Sequence, residues 1–319
     1  MMQDRLLRGL GVLTSIGAYL MLLMGAIVTK TGSGKGCGNS WPFCHGQLIP
    51  PSLPIETVFE YSHRILSAID GCFILVLTIW SWYRYRSQRK VKVLGFLSLF
   101  FVILQGALGA FTVVLEGIFV KNVTLALHFG FSLISFASVI LLTVYLFQLK
   151  HPQYDPKPVD SKNLSKLRYA IWGLAAYTYL VVYTGALVRH SHATMSCGYT
   201  FPLCDKQLWP SLNSPAGIHL LHRFAGISLW LLVLLLLIWV LSRYPKRRDL
   251  RNGLIGSFVL ISLQAVSGIV TVWMGGQVLV ALVHTTLISI FFAVLCYLCM
   301  QIGVPWSKKQ PKLVLTNHS

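Results

Sequence analysis

The sequence predicts an all-α integral membrane protein with eight transmembrane helices, arranged as two parallel four-helix-bundle repeats with pseudo-twofold symmetry. Of its 319 residues, 55% are hydrophobic and only 11% are charged, which differs from the composition of soluble globular domains. Eight apolar runs approach the roughly 20 residues that are needed to span a bilayer. They cover residues 9–29, 61–83, 93–114, 123–148, 169–189, 219–242, 252–274 and 279–302.

Positive charge is distributed unevenly between these segments. The formal net charge is +18, and Lys and Arg cluster before the first segment and after the second, fourth, sixth and eighth. Because cytoplasmic loops carry the excess of basic residues, both termini are expected in the cytoplasm and the other loops outside the cell membrane. The basic residues then serve topology and contact with the lipid bilayer, so nucleic acid is not expected as a partner.

The second half of the chain repeats the first. Because each repeat holds an even number of segments, both repeats enter the membrane from the same side, which differs from the inverted repeats of many transporters. The predicted units are residues 1–149 and 169–302, with a linker at 150–168 and a tail at 303–319. The matched pairs, at offsets of 156 to 160 residues, are Gly25/Gly185, Cys37/Cys197, Cys44/Cys204, His63/His222, Gln105/Gln264, Gly109/Gly268 and His128/His284.

Four histidines form two matched pairs near the outer ends of predicted helices. His63 and His128 share a depth within roughly 10 Å of the outer boundary, and so do His222 and His284. Ionisable residues inside a membrane suggest function, and facing helices of a bundle build cofactor sites. Two imidazoles can ligate haem iron, whereas zinc needs further ligands. The alternative is a histidine that is hydrogen-bonded within the core.

Charged neighbours distinguish the two pairs. Arg64 and Arg223 each follow a histidine and are candidates for contact with haem propionates; the alternative is an arginine that extends to the outer interface. Glu60 lies one turn before His63 on the same face, and its repeat-mate is His219. This acid predicts a reactive first half, where Glu60 accepts protons, and an electron-carrying second half. The alternative is an acid that stabilises the helix N-terminus.

The outer loops contain further candidate residues. His190 and His192 are expected to be solvated. Because disulfides persist outside the cytoplasm, one disulfide is expected in each of two loops, with a redox role for the first as the alternative. The cysteines, with six residues between the members of each pair, are Cys37 with Cys44 and Cys197 with Cys204.

These motifs together resemble the haem A synthase family, in the bacterial form with paired cysteines in both outer loops. The resemblance covers nearly the whole chain. It implies an oxidoreductase that oxidises a ring methyl group of haem O to a formyl group, giving haem A for haem-copper terminal oxidases. The residues that carry it are the Glu-x-x-His-Arg motif at 60–64, His128, His222, Arg223, His284 and the Gly-x-x-Trp-Pro-x-Cys loop at 38–44.

The resemblance also implies roles for individual residues. Glu60 would be the essential acid, and haem O synthase would be a partner that supplies the substrate; a homo-oligomer is compatible with the sequence. The implied ligands and disulfides are His63 and His128 for the substrate haem O, His222 and His284 for a haem b cofactor, Cys37–Cys44 as a functional pair and Cys197–Cys204 as a structural one.

Two alternatives use the same helices. A quinol-linked di-haem b electron-transfer cytochrome would share the eight helices and four histidines, but it gives no role to Glu60. A transporter of haem or of another amphiphile would need neither pair. The parallel repeat and the location of both pairs towards one side of the membrane argue against that alternative.

Overall fold

Eight long helices make up most of the computed structural model, which describes residues 2–114, 118–150, 161–204 and 207–306. Each of the eight is long and apolar enough to cross a membrane, which confirms the predicted all-α membrane protein. A short 3-10 helix, Ala193–Met195, follows the fifth. The long helices are α1 (Met2–Lys30), α2 (Ile55–Arg84), α3 (Arg89–Val114), α4 (Ile118–Gln148), α5 (Ser161–His190), α6 (Pro215–Arg243), α7 (Arg248–Trp273) and α8 (Val278–Ile302).

Several helices begin earlier than the apolar runs predict. In α6 the cause is local, because the first turn of the helix is capped. At the start of α6, the Ser214 side chain accepts a hydrogen bond from the N–H of Gly217 at 3.1 Å, and Pro215 occupies the first turn. Helix α5 begins at Ser161, inside the predicted linker. Residues 151–160 of that linker, and 307–319 of the predicted tail, lie outside the described ranges.

A tight glycine turn joins α7 to α8. Gly275 and Gly276 have φ angles of 61° and 74°, in the region that glycine adopts without the steric penalty of a side chain. The N–H of Gly276 donates to the carbonyl of Thr271 at 2.7 Å, which closes the end of α7. This short connection keeps α7 and α8 adjacent, so that side chains on the two helices face each other.

Three buried apolar clusters lie between the helices of the described ranges, and a fourth, smaller one surrounds the Cys197–Cys204 disulfide. One lies within α1 to α4 and includes Leu7, Ile74 and Leu142. A second lies within α5 to α8 and includes Ile171 and Leu254. The third lies between the two halves, where α1 and α4 contact α5 and α8. Its members are Ala18, Leu22, Leu133, Phe136, Ala137, Val182, Phe292 and Ala293.

Polar contacts also join the two halves. The hydroxyl groups of Tyr19 on α1 and Thr286 on α8 are 2.9 Å apart. At the end of α5, Nη2 of Arg189 donates a hydrogen bond to the carbonyl of Ala26 on α1. The arrangement is consistent with the predicted pair of four-helix repeats packed side by side.

The loops after α1 and α5 fold alike. Each is closed by a disulfide, Cys37–Cys44 in the first and Cys197–Cys204 in the second, as predicted. Behind each disulfide the backbone makes a small antiparallel bridge, in which the second cysteine exchanges hydrogen bonds with a glutamine three residues later. Each closed loop lies over the first turns of the helix that follows it, α2 or α6.

Candidate functional site

The structure brings each predicted histidine pair together. His63 interacts electrostatically with His128, and His284 with His222. All four rings are only partly buried. His63 lies eight residues after the start of α2 at Ile55, and His128 lies ten residues after the start of α4. At a rise of 1.5 Å per residue, these positions are about 12 and 15 Å along their helices; their depth below the membrane boundary stays a prediction.

A glycine from the preceding helix packs against each of the four rings. A side chain at any of these positions would press on an imidazole, so the glycines allow the helix backbone to approach the ring. The sequence identified these glycines as repeat mates but missed their packing role. The distances from a Cβ built on the glycine to the nearest ring atom are 3.2 Å for Gly25 and His63, 3.4 Å for Gly109 and His128, 2.9 Å for Gly185 and His222, and 3.2 Å for Gly268 and His284.

The two rings of the second half are also hydrogen-bonded. Oγ1 of Thr184 lies 2.9 Å from Nδ1 of His222, and Oγ of Ser267 lies 2.8 Å from Nδ1 of His284. Nε2 of Gln264 lies 3.0 Å from Nε2 of His284. Sequence reasoning missed both hydroxyl groups. The available signal was a hydroxyl residue directly before each matched glycine, at 184–185 and 267–268.

The first half lacks these bonds. The repeat positions of the two hydroxyl residues are occupied by Met24 and Leu108. Nδ1 of His63 is buried and has no hydrogen-bond partner within the described ranges. The amide of Gln105 donates to Sδ of Met21 at 3.4 Å instead of contacting a histidine. The two histidine pairs therefore differ in their surroundings although they match in position.

Glu60 is buried beneath the disulfide loop that follows α1. Glu60 is only 5% exposed. Its Oε2 accepts a hydrogen bond from the backbone N–H of Cys37 at 2.8 Å, and its Oε1 accepts one from Nη2 of Arg64 at 2.6 Å. Nη1 of Arg64 donates in turn to the carbonyls of Ser40 and Phe43, both at 2.7 Å. The carboxylate is thus fixed between its own helix and the disulfide loop.

Arg223 makes the corresponding contacts in the second half. It donates to the carbonyl of Thr200 at 2.6 Å and to that of Gly198 at 3.0 Å. Its Nε lies 3.2 Å from Nε2 of His219, which replaces the carboxylate of the first half. Both candidate arginines thus bind loop carbonyls in this structure, and their contact with propionates stays a prediction.

His190 and Asp70, which lie outside the two histidine pairs, are also buried. The prediction that His190 is solvated is wrong: it is the last residue of α5 and is 7% exposed, because α5 continues past the apolar run. His192 is exposed, as predicted. Asp70 on α2 is 1% exposed, and its carboxylate oxygens have no hydrogen-bond partner in the part of the chain that the structure describes. The carboxylate lies against Gly17 of α1.

The histidine pairs fit a haem group. In each half the rings come from helices at opposite corners of the four-helix unit, α2 and α4 or α6 and α8, are partly accessible and have a glycine backbone at one edge. In the second half, Nδ1 of each ring lies beside a hydroxyl, which leaves Nε2 of His222 for iron, whereas Nε2 of His284 contacts the amide of Gln264, which iron would have to displace. The fold is that of a multi-pass membrane protein with two related histidine pairs; haem binding by these pairs stays a prediction.

Comparison with known proteins identifies the family. Residues 8–296 match the COX15-CtaA family, described as cytochrome oxidase assembly protein, and the chain belongs to this family. It is similar to heme A synthase from Alkalihalophilus pseudofirmus, with 43% identity over 92% of this chain and 96% of the relative. It is also similar to heme A synthase from Halalkalibacterium halodurans, with 44% identity over 93% and 97%, and from Bacillus mycoides, with 42% over 93% of each.

Proposed function

We propose that this protein is a haem A synthase, an oxidoreductase that converts a ring methyl group of haem O into the formyl group of haem A. Family membership and the names of its relatives support the proposal. The structural observation that carries it is Glu60, a carboxylate held at fixed geometry beside one of two histidine pairs that occupy matching positions in the repeat. An electron-transfer cytochrome would have no use for this asymmetry.

The first half binds the substrate. His63 and His128 hold haem O between helices at opposite corners of the four-helix unit, and the glycines let the helix backbone support both rings. Glu60 accepts a proton from the methyl group as the porphyrin is oxidised, and water adds to the oxidised carbon. The whole conversion, R–CH3 + H2O to R–CHO, releases four protons and four electrons and so needs an external electron acceptor. Each oxygen of Glu60 uses one lone pair for a bond to Cys37 or Arg64 and keeps another for a proton. The same bonds keep the carboxylate from turning away.

The second half binds a permanent cofactor. His222 and His284 would hold a haem b, and His219 replaces the acid, so this half carries no carboxylate at the corresponding position. When bound, haem b would supply a redox centre to this half. Arg64 and Arg223, above the two pairs, remain the candidates for contact with the propionates.

The location of the sites suggests how the protein is oriented and supplied. Both termini face the cytoplasm, and the disulfide loops and histidine pairs lie towards the outer side of the cell membrane. Haem O, which is amphiphilic, enters laterally from the bilayer. Haem O synthase delivers it in a complex with this protein, which itself forms a homo-oligomer. The product is used in the assembly of haem-copper terminal oxidases.

The test is a haem analysis of membranes that contain this protein together with a source of haem O. Haems are extracted with acidified acetone and separated by reversed-phase chromatography. Haem A is expected with the natural sequence and is expected to disappear with Glu60→Ala. Haem b alone, despite available haem O, would overturn the proposal and favour the di-haem cytochrome. Haem A that persists with Glu60→Ala would refute the role of the acid.

A further inference from the structure

We propose that Thr184 and Ser267 are positioning residues that fix the protonation and orientation of the second histidine pair, so that this half retains its haem while the first half exchanges it. The inference rests on the proposed function and deepens it. It starts from the difference in hydrogen bonding between two pairs of histidines that occupy the same positions in the repeat.

The direction of each hydrogen bond follows from counting protons. A hydroxyl group has one proton to donate. The proton of Thr184 is donated to the carbonyl of Val181, at 2.7 Å. The hydroxyl oxygen must therefore accept the bond at 2.9 Å from His222, so Nδ1 of His222 carries the proton. In a neutral imidazole, the other nitrogen, Nε2, then has a free lone pair.

The same count applies to His284. Ser267 donates its proton to the carbonyl of Gln264 at 2.8 Å, so it accepts from Nδ1 of His284 at 2.8 Å. The amide nitrogen of Gln264 lies 3.0 Å from the second ring nitrogen and donates to it. Nε2 of His284 is thus a hydrogen-bond acceptor as well. The amide of Gln264 contacts the lone pair that iron would take on binding.

These bonds have a known effect on metal ligands. A histidine whose second nitrogen donates a hydrogen bond is held in one tautomer and one orientation, and its basicity towards the metal rises; loss of such a partner commonly lowers metal affinity 10- to 100-fold. Both ligands of the second half have this partner, and each hydroxyl is supplied by the helix that also provides the adjacent glycine. A haem bound there is expected to dissociate slowly.

The first half has the opposite properties. Met24 and Leu108, at the repeat positions of the two hydroxyls, offer no acceptor to an Nδ1 proton. Within the described ranges, Nδ1 of His63 is buried without a hydrogen-bond partner, and neither ring nitrogen of His128 takes part in a hydrogen bond. The rings are therefore weaker and less strictly oriented ligands. A substrate site needs this property, because the product must leave after each turnover.

The test measures haem retention in the full-length protein purified in detergent, with apomyoglobin as the acceptor of dissociated haem. Thr184→Val combined with Ser267→Ala is expected to release haem b at least about tenfold faster than the natural protein. The reduction potential of the remaining haem is expected to rise, because a less basic ligand stabilises ferric iron less. Thr184→Ser, which keeps the hydroxyl, is expected to release haem b as slowly as the natural protein does.

Matched controls are available on the same helices. The hydroxyls of Thr178 on α5 and Ser257 on α7 donate only to their own helix, to the carbonyls of Leu174 and Gly253 at 2.8 Å. Thr178→Val with Ser257→Ala removes the same atoms away from the rings. Release as fast as in the test variant would show that the effect is structural and would overturn the inference.

A gain of function provides an independent measurement. Met24→Thr combined with Leu108→Ser places hydroxyls at the repeat positions of the first half, and slower release of haem from that half is expected. Haem release could be unchanged both in Thr184→Val with Ser267→Ala and in Met24→Thr with Leu108→Ser. This result would overturn the inference while leaving the proposed function intact. If the His222→Ala variant contains as much haem as the natural protein, the assignment of haem b to the second half in the proposed function would be overturned instead.

Discussion

The backbone N–H of Cys37 donates a hydrogen bond to Oε2 of Glu60 at 2.8 Å. The candidate proton acceptor is thereby tied to a loop that a disulfide closes. Arg64 strengthens the connection, because it contacts both the carboxylate and the loop carbonyls. The loop and the acid form one structural unit, and the following predictions test its role and that of the histidine surroundings.

The first prediction concerns the charge of Glu60. Glu60→Gln keeps the size of the side chain but removes its ability to accept a proton, so haem A formation is expected to fall at least about 100-fold. Haem b bound by the second half is expected to remain. Chromatography of extracted haems measures both. Glu56→Gln, on an exposed residue in the first turn of the same helix, is the control and is expected to have no effect.

The second prediction compares the two disulfides. Replacement of Cys37 and Cys44 by Ala opens the loop that holds Glu60, and displacement of the acid is expected to lower haem A formation by about 10- to 100-fold. Replacement of Cys197 and Cys204 opens the loop that holds Arg223, away from the acid. Formation of haem A per amount of folded protein is expected to change little. Equal losses in both variants would contradict this explanation.

The third prediction concerns the glycine beside His222. Gly→Ala within a helix normally stabilises it by roughly 0.5–1 kcal/mol, but a Cβ at position 185 would lie 2.9 Å from Cε1 of the ring. Gly185→Ala is therefore expected to displace the ring and to reduce haem b content. Gly173→Ala on the same helix, where a Cβ meets nothing within 4 Å, is the control. The absorbance of the purified protein at the haem bands measures the difference.

The fourth prediction concerns the contact between the halves. Arg189→Gln removes the charged hydrogen bond from α5 to the carbonyl of Ala26 on α1, which is expected to cost about 1.5–3 kcal/mol. A lower midpoint of thermal unfolding in detergent is the expected result. Arg243→Gln, on an exposed arginine at the end of α6, serves as the control. Identical midpoints for the two variants would show that the bond does not stabilise the interface.

Much of the fold could be predicted because the bilayer imposes strong rules on sequence. Eight apolar runs predicted eight helices, and internal matching predicted which histidines pair. The starts of helices were less predictable, since hydropathy marks the apolar part and not the capped turns before it. His190 shows the consequence: it follows an apolar run and was expected in solvent, yet α5 carries it into the interior.

The finer features of the site depended on tertiary contacts. The sequence places Glu60 and Arg64 one turn apart, but it does not show that both bind the loop at Cys37 and Ser40. The roles of Thr184 and Ser267 were equally hidden, because hydroxyl residues within membrane helices commonly bond to their own backbone. Only the position of a neighbouring ring reveals the additional bond.

The glycine at the edge of each imidazole affects the thermodynamics of binding. A ring packed against bare backbone has lost part of its torsional freedom before any ligand arrives. The corresponding loss of side-chain entropy, about 0.5–1.5 kcal/mol for an immobilised side chain, is then incurred when the helices assemble and not when haem binds. The four glycines thus shift an entropic penalty from recognition to folding, and preorganisation of the ligands is built into the helix packing itself.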